Sequence, residues 1–255
     1  MKILETQELS KQFGGLIAVN KVSMHVKEGD IVGLIGPNGA GKTTFLNAVA
    51  GLNPPTGGRV LFLGEDTTGF TPEKMCHRGL SRSFQIPRPY PKMTALETVL
   101  TSAIFGNRLR KVKDPVAHSR KMLSFVEFPM AEETITESLN TLQLKRLDLA
   151  RALASNPRLL FLDELAAGLT EGELGDIMTL IRKIRDQGIT ILMVEHIMQL
   201  IMSVCERLVC IQFGNKIAEG PTEEVARDPT VTEAYLGRQK KKECSPDTHA
   251  GAQVG

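Results

Sequence analysis

The segment Gly36–Thr44, which reads GPNGAGKTT, has the residue types and spacing of a phosphate-binding loop. Its three glycines lack a Cβ, so the loop can point consecutive backbone N–H groups inward, above a helix N-terminus whose dipole favours negative charge. We expect Lys42 to reach the β- and γ-phosphates, the Thr43 hydroxyl to ligate Mg²⁺ and Thr44 to bond the α-phosphate. An accidental match is the alternative, but an apolar run before the loop and a helix-like stretch after it make that rare. The sequence therefore predicts a nucleotide site.

Acidic residues follow a second short apolar run, Leu159–Leu162, at the point where a buried parallel strand would end. Ligands of α/β sheets bind at the carboxyl ends of such strands. We therefore expect Asp163 to hold Mg²⁺ through water and Glu164 to act as the general base that polarises the attacking water. His196 follows another apolar strand pattern and could hydrogen-bond the γ-phosphate, although a histidine at such a junction is more often a polar cap.

Two further side chains become candidate nucleotide-site residues because of their position relative to the phosphate loop. Gln85 follows a predicted strand, Leu80–Phe84, and its carbonyl oxygen could ligate Mg²⁺ and orient water, although a glutamine there is usually only a polar loop residue. Phe13 stands at the tip of a predicted antiparallel hairpin that turns at Gly14 and Gly15. It could stack on adenine or pack beneath the turn, and the phosphate loop downstream favours stacking.

The chain around these motifs alternates between strand and helix patterns, which is typical of an α/β fold. A helical insert begins at Thr94, because Thr94 and Glu97 form a capping box and apolar residues then recur at helical spacing. The insert continues through Pro115 to a helix over Leu139–Leu153. A helix with one apolar face then separates the two buried strands that precede the acids and the histidine.

The composition limits the class of protein. A length of 255 residues with 42% hydrophobic content supports one domain with subdomains. No apolar stretch reaches the about 18 residues that span a bilayer, and the first residues lack a signal-peptide core, so we expect a soluble intracellular protein. The four cysteines lack the spacing of metal ligands, and a net charge of +2 gives no indication of a nucleic-acid partner.

The order and spacing of these motifs resemble those of the ATP-binding subunit of an ABC transporter, over residues 1–237. The resemblance implies an α/β fold: a P-loop NTPase nucleotide-binding domain with a RecA-like core, an antiparallel β subdomain and a helical subdomain at about residues 86–157. Segments such as SFQIPRPYPKMTALETV and FGNKIAEGPTEEVARDP resemble the subunits of branched-chain amino-acid importers more narrowly. Urea importers and a lipopolysaccharide exporter share parts of this pattern, so those transport systems remain alternatives.

The resemblance also implies the site and the partners. Glu164, His196 and Gln85 take catalytic roles, and ATP and Mg²⁺ are the cofactors. The residues expected to contact ATP are Phe13, Gly36, Pro37, Asn38, Gly39, Ala40, Gly41, Lys42, Thr43, Thr44, Asn140 and Gln143. The residues expected to hold Mg²⁺ are Thr43, Gln85 and Asp163. The expected partners are a second ATPase subunit, integral membrane permease subunits at the cytoplasmic face of the plasma membrane and, indirectly, a solute-binding protein.

One element departs from the family pattern. The family signature LSGGQ reads LNTLQ at Leu139–Gln143, so its serine and both glycines are replaced. In the family dimer this element closes on the γ-phosphate held by the other subunit, and small residues allow close backbone approach. We expect Leu142 to obstruct that approach, which predicts a heterodimer with one working site. The segment after Glu164 departs too, with Leu165 in place of proline and Thr170 in place of Asn or Asp.

Two other functions compete with a transport ATPase. A soluble ABC ATPase that acts on DNA or ribosomes usually carries tandem cassettes, coiled coils or zinc cysteines, and this sequence has none of them. An ATP-binding regulatory module with decayed hydrolysis is supported by the altered signature but opposed by the retained Lys42, Asp163 and Glu164. The charged and then small, polar segment at residues 238–255 is expected to be a disordered tail.

Overall fold

The computed structural model describes residues 1–84 and 90–236. The strands are β1 Lys2–Phe13, β2 Leu16–Lys27, β3 Ile31–Ile35, β4 Gly57–Phe62, β5 Glu65–Asp66, β6 Leu80–Arg82, β7 Leu159–Asp163, β8 Thr190–Val194, β9 Arg207–Gln212 and β10 Asn215–Pro221. The helices are α1 Lys42–Val49, α2 Pro72–His77, α3 Ala95–Phe105, α4 Pro115–Phe125, α5 Thr141–Ala154, α6 Glu171–Asp186, α7 Met198–Val204, α8 Thr222–Arg227 and α9 Pro229–Leu236, with a 3₁₀ turn at Thr136–Ser138.

The main sheet has the strand order β10-β9-β3-β8-β7-β6. Strands β9, β3, β8, β7 and β6 are parallel to their neighbours, and β10 pairs antiparallel with β9. The carboxyl ends of β3, β7 and β8 therefore meet at one edge of the sheet. The phosphate loop follows β3 and the two predicted acids lie at the end of β7, so the topology brings these motifs together.

The central strands are buried on both faces, which fixes the positions of the loops at their ends. Every residue of β3, β7 and β8 is buried. Alternate residues of β3 point to opposite sides, since Ile31 and Ile35 pack in the cluster of helices α3, α5 and α6, whereas Val32 and Leu34 pack against α1 and the second sheet. Strands buried on both sides read as continuous apolar runs, as the sequence predicted for this sheet.

The second sheet is antiparallel, with the order β2-β1-β4-β5. Strands β1 and β2 form the predicted hairpin, and Gly14 has a φ of +56° in the turn that joins them. The pairing of Phe13 with Leu16 closes the hairpin, so the prediction of a turn at Gly14 and Gly15 is confirmed. The hairpin tip lies beside the phosphate loop, because Phe13 and Leu16 line the same cavity as Gly39 and Gly41 of that loop.

The helices of the predicted insert lie between β6 and β7. The capping box at the start of α3 is confirmed, since the Thr94 hydroxyl accepts the N–H of Glu97 and the Glu97 carboxylate accepts the N–H of Thr94. The strand predicted over residues 80–84 is shorter than expected and ends at Arg82. One cause is that the backbone N–H of Phe84 donates to the buried Asp148 carboxylate of α5, 2.9 Å away, rather than to a strand. Among the described residues no helix has both the length and the apolar character to cross a membrane.

Candidate active site

The phosphate loop after β3 adopts a conformation that two of its glycines make possible. Gly36 has a φ of +146°, and a Cβ there would lie 2.0 Å from the carbonyl oxygen of Ile211. Gly41 has a φ of +104°, and its Cβ would lie 2.3 Å from the carbonyl oxygen of Ala18. Neither position can hold a larger residue without backbone movement. The curled loop that the sequence predicted is therefore present, and it ends at the N-terminus of α1.

Lys42, the first residue of α1, places a positive charge inside this loop. Its Nζ donates to the carbonyl oxygens of Gly36, at 2.7 Å, and Pro37, at 3.0 Å. Burial lowers the pKa of the Lys42 ammonium below its ordinary value, and the nearby Glu164 and Asp163 carboxylates oppose that shift. A buried ammonium with few counter-charges favours an anionic ligand, because phosphate oxygens would replace the solvation it has lost.

A cavity of about 450 Å³ opens in front of the loop, within the size range of small-molecule sites. It brings together most of the predicted nucleotide contacts with two of the three predicted catalytic residues, Glu164 and His196. Its lining residues include Phe13, Asn38, Gly39, Ala40, Gly41, Lys42, Thr43, Thr44, Glu164 and His196. Pro37 lies on an adjoining cavity that also touches Glu164 and His196. One open site is thus built from β1, the phosphate loop, β7 and β8.

Phe13 is exposed at the rim of this cavity rather than packed beneath the hairpin turn. Phe13 is 45% exposed, and the Lys11 ammonium lies 5.0 Å from the centre of the Phe13 ring. An aromatic ring in this setting gains little from the core and presents a face for a planar ligand. The geometry argues against the packing alternative, and adenine stacking stays a prediction.

Glu164 and His196 form a pair at the end of the sheet. Glu164 has a φ of +49°, and its backbone N–H donates to the Val194 carbonyl oxygen at the end of β8. One carboxylate oxygen of Glu164 lies 2.9 Å from Nε2 of His196. Since both side chains line the cavity, the carboxylate is held beside the phosphate loop by the histidine. This arrangement can orient a general base toward a bound phosphate.

Asp163 lies one residue earlier, and its partner was not predicted. The Arg82 guanidinium donates to the Asp163 carboxylate at 2.5 Å and to the Asn47 side-chain oxygen at 2.5 Å. The Arg82 and Asp163 side chains are 8% and 6% exposed, so this is a buried ion pair. It joins α1, β6 and β7 behind the cavity. The only sequence signal was an arginine within the predicted strand Leu80–Phe84, and its pairing with Asp163 of β7 is a long-range feature.

Glu195 also was not predicted to take part, although it connects the segments that carry Glu164 and His196. Its buried carboxylate accepts the N–H of Ala166, at 2.9 Å, and the N–H of His196, at 3.4 Å. Burial raises the pKa of Glu195 above its ordinary value. The carboxylate therefore ties the turn after β7 to the segment after β8 and helps to hold Glu164 and His196 in register.

A C-terminal residue reaches the phosphate loop as well. The Tyr235 hydroxyl of α9 accepts the backbone N–H of Gly36, 2.8 Å away. Val231 and Ala234 anchor that helix because both are buried. The contact joins residues 199 positions apart in the chain, so no local pattern indicated it.

The signature element lies away from this cavity within the single chain. Asn140 caps α5 by accepting the N–H of Gln143, and the Gln143 side chain accepts the N–H of Asn140 in return. Asn140 and Leu142 line a separate surface cavity with Ala167 and Gly168. The structure thus gives Asn140 and Gln143 a capping role and does not bring them to the phosphate loop. Gln85, the remaining predicted site residue, lies outside the described residues.

Lys145 binds the backbone of the segment after β7, in which the sequence differs from the family pattern. Its buried ammonium donates to the carbonyl oxygens of Leu165, at 3.0 Å, and Ala167. Leu165, which replaces the family's proline, is buried in the core. Thr170 accepts the N–H of Glu173 and so caps α6, which explains a threonine at that position. Leu165 and Thr170, which differ from the family pattern, therefore have structural roles in this chain.

Two family profiles and the curated relatives of this chain indicate the same protein family. The profile of the family described as ABC transporter matches residues 19–167, more than half of the chain, and the profile described as branched-chain amino acid ATP-binding cassette transporter matches residues 215–241. The high-affinity branched-chain amino acid transport ATP-binding protein BraF of Pseudomonas aeruginosa is 39% identical over 249 residues, which cover 92% of this chain and 98% of BraF.

Solved structures agree with the sequence comparison. The crystal structure of the ADP conformation of MJ1267, an ATP-binding cassette of an ABC transporter, matches with a TM-score of 0.83 and 33% identity, over 93% of this chain and 99% of that one. A dimeric post-hydrolysis structure of the ATP-binding cassette MJ0796, bound to ADP and Pi, matches with a TM-score of 0.77 and 26% identity, over 86% of this chain and 98% of that one. From the profile match and these relatives, the chain belongs to the ABC transporter family, as an ATP-binding subunit that hydrolyses ATP to power transport.

Proposed function

We propose that this chain binds MgATP at the cavity around Lys42, hydrolyses it with Glu164 as the general base, and powers the import of branched-chain amino acids through membrane permease subunits. One observation carries the catalytic part: the Glu164–His196 pair and the phosphate loop line the same cavity. The proposal places the chain at the cytoplasmic face of the plasma membrane, bound to its permeases.

ATP binding divides between the two ends of the cavity. Phe13 takes the adenine by stacking, which leaves the triphosphate over the loop N–H groups at the start of α1. Lys42 exchanges its carbonyl contacts for β- and γ-phosphate oxygens, a charge-assisted interaction. Thr44 bonds the α-phosphate. The loop glycines let the backbone approach the phosphates closely.

The residues present fit a Mg²⁺ ion that is shared with ATP. Within the described ranges no cluster of three or more His, Cys, Asp or Glu side chains could hold a metal alone. Magnesium in nucleotide sites usually binds one or two protein groups together with phosphate oxygens and water. Thr43, which lines the cavity, and Asp163, one of whose carboxylate oxygens pairs with Arg82, would supply that kind of partial set, a hydroxyl and a carboxylate. When bound, Mg²⁺ neutralises charge on the phosphates that Lys42 also contacts.

Hydrolysis requires a base that is positioned beside the γ-phosphate. Glu164 polarises the attacking water and takes up its proton, while His196 holds the Glu164 carboxylate and approaches the γ-phosphate. Glu195 supports both residues through the backbone N–H groups of Ala166 and His196. Because these contacts exist between rigid strand ends, little reorganisation is needed at the moment of reaction.

A second ATPase subunit completes the site. The dimeric structure of MJ0796 supports pairing of two such subunits. In the dimer that we propose, α5 of one subunit faces the ATP of the other, with Asn140 and Gln143 near that nucleotide. In this chain Leu142 stands where a glycine would allow close approach. We therefore infer a heterodimer: the ATP on this chain is hydrolysed with the help of a partner's complete signature, and the ATP on the partner is nearly silent.

The solute assignment is supported by the name of BraF and by the C-terminal profile match. To test it, the chain would be purified together with its partner ATPase subunit and its permeases, reconstituted in vesicles and assayed for ATP turnover with leucine, urea or no solute. We expect leucine, with its binding protein, to raise turnover, and Glu164→Gln to bind ATP without turnover. Stimulation by urea alone would overturn the amino-acid assignment, and wild-type turnover by Glu164→Gln would overturn the assignment of the base.

A further inference from the structure

The turn between β9 and β10 carries a residue that turn chemistry does not favour. Gln212 pairs with Asn215, so Phe213 and Gly214 form a two-residue hairpin loop. Both have positive φ, +47° for Phe213 and +77° for Gly214. A turn with positive φ at both central positions prefers asparagine, aspartate or glycine first, and a bulky aromatic there is strained. Phe213 therefore occupies a position at which local stability would select another residue.

Burial does not compensate for this strain. Phe213 is 79% exposed, more than Phe105 at the end of α3, which is 73% exposed. An exposed aromatic in a strained backbone conformation gains little from the folded chain itself, and such conformations concentrate at ligand sites. The strain and the exposure together favour a contact between the Phe213 ring and a ligand.

The turn is fixed against the nucleotide site. The backbone N–H of Gly214 donates to the carbonyl oxygen of Ala40 in the phosphate loop, 2.9 Å away. On its other side, the backbone N–H of Asn20 donates to the Gly214 carbonyl oxygen at 2.8 Å, and the Asn20 side chain donates to Asn215 at 2.9 Å. These bonds connect the turn to the loop and to β2, so Phe213 is held in one place relative to the phosphates.

Phe213 lines the same cavity as Phe13, together with Leu16, Ile17 and the phosphate loop. We propose that Phe213 is a second aromatic wall of the nucleobase end of this cavity, so that the adenine of ATP packs on Phe213 as well as on Phe13. The inference rests on the proposed function, in which the Phe13 end of the cavity takes the base. It assigns a binding role to a residue outside the phosphate loop and the hairpin tip.

The test compares two ligands with the substitution Phe213→Asn. Asparagine suits the first position of this turn, so the variant should unfold at the same temperature as the wild type or a higher one. Its affinity for ATP should fall by about fivefold or more, the range expected for loss of one stacking contact. Its affinity for inorganic tripolyphosphate, which has no base, should stay unchanged. Phe105→Asn is the matched control, and it should bind both ligands as the wild type does.

Each outcome separates this inference from the proposed function. If Phe213→Asn binds ATP as tightly as the wild type while Phe13→Ala binds it more weakly, Phe213 has no base contact and its exposed ring serves another partner. Equal losses of ATP and tripolyphosphate affinity would also overturn the inference, since they would mean that the turn only supports the phosphate loop through Gly214. If the wild type binds ATP no better than Lys42→Ala does, the proposed nucleotide site itself fails.

Discussion

Restoring small residues at the start of α5 should switch on ATP hydrolysis by this chain alone. The triple variant Asn140→Ser, Thr141→Gly and Leu142→Gly returns the family's signature. Loss of one transition-state donor typically costs about 10² to 10³ in rate, so the repaired element should raise turnover by a factor of that order. The increase depends on two copies closing around ATP, with each signature facing the loop of the other copy.

The structure indicates that the repaired chain will still fold. Asn140→Ser keeps a side-chain oxygen that can accept the Gln143 N–H, so the helix cap survives. Glycine at the next two positions costs about 1 kcal/mol or less each in helix propensity. Leu142 is half-buried beside Leu165 and Leu169, and its truncation adds about 1 to 2 kcal/mol. A total loss of about 2 to 4 kcal/mol lies within the 5 to 15 kcal/mol of a typical domain.

The assay is phosphate release at saturating MgATP over a series of protein concentrations, with thermal unfolding measured on the same samples. A steep dependence of turnover on protein concentration would indicate that two copies form the site. Asn140→Ser alone is the control, and it should remain nearly inactive because Leu142 still blocks the approach. Robust turnover by the unmodified chain would refute the reasoning, as would a folded, dimerising triple variant with no gain.

Other expectations follow from single contacts. Phe13→Ala should weaken ATP binding by about 1 to 3 kcal/mol and leave tripolyphosphate binding intact, and equal losses in calorimetric titrations of both ligands would contradict stacking. Arg82→Met leaves the Asp163 carboxylate buried without its partner, so denaturant unfolding should show a loss of about 3 to 5 kcal/mol, whereas an unchanged midpoint would mean that the pair adds nothing. Burial raises the pKa of the Glu195 carboxyl in the folded state above its ordinary value of 4.5. Above that pH the folded state therefore binds more protons at this group than the unfolded state does. The stability that the group contributes is lost as pH rises through its folded pKa. The unfolding temperature of Glu195→Gln relative to the wild type should therefore increase from pH 4.5 toward neutral pH, and a pH-independent difference would exclude this linkage.

Local signals in the sequence were sufficient for much of the scaffold. The glycine spacing of the phosphate loop, the apolar runs of the central strands and the Thr94–Glu97 capping box all act over a few residues, and each appears in the structure as predicted. The acids at the end of β7 could be placed near the loop because parallel strands end at one edge of a sheet.

Contacts across the chain could not be predicted in the same way. Arg82 reaches Asp163 over 81 positions, and Tyr235 reaches Gly36 over 199. Such pairs depend on which strands become neighbours, which no local pattern determines. Phe213 is a different case. The turn at residues 213–214 has phenylalanine where asparagine, aspartate or glycine is usual, so the sequence does not indicate a two-residue turn there. Glu195 was passed over because an acid next to a histidine resembles an ordinary strand end, and only its burial reveals its role.

Equilibrium binding of ATP to three forms of the chain tests the central claim most directly. The wild type and Glu164→Gln should bind MgATP alike, because the base contributes to hydrolysis and not to affinity. Lys42→Ala should bind it more weakly by about a hundredfold or more, since the charged contacts to two phosphates are lost. If Lys42→Ala keeps wild-type affinity while remaining folded, ATP does not bind at this loop and the account of the site is wrong.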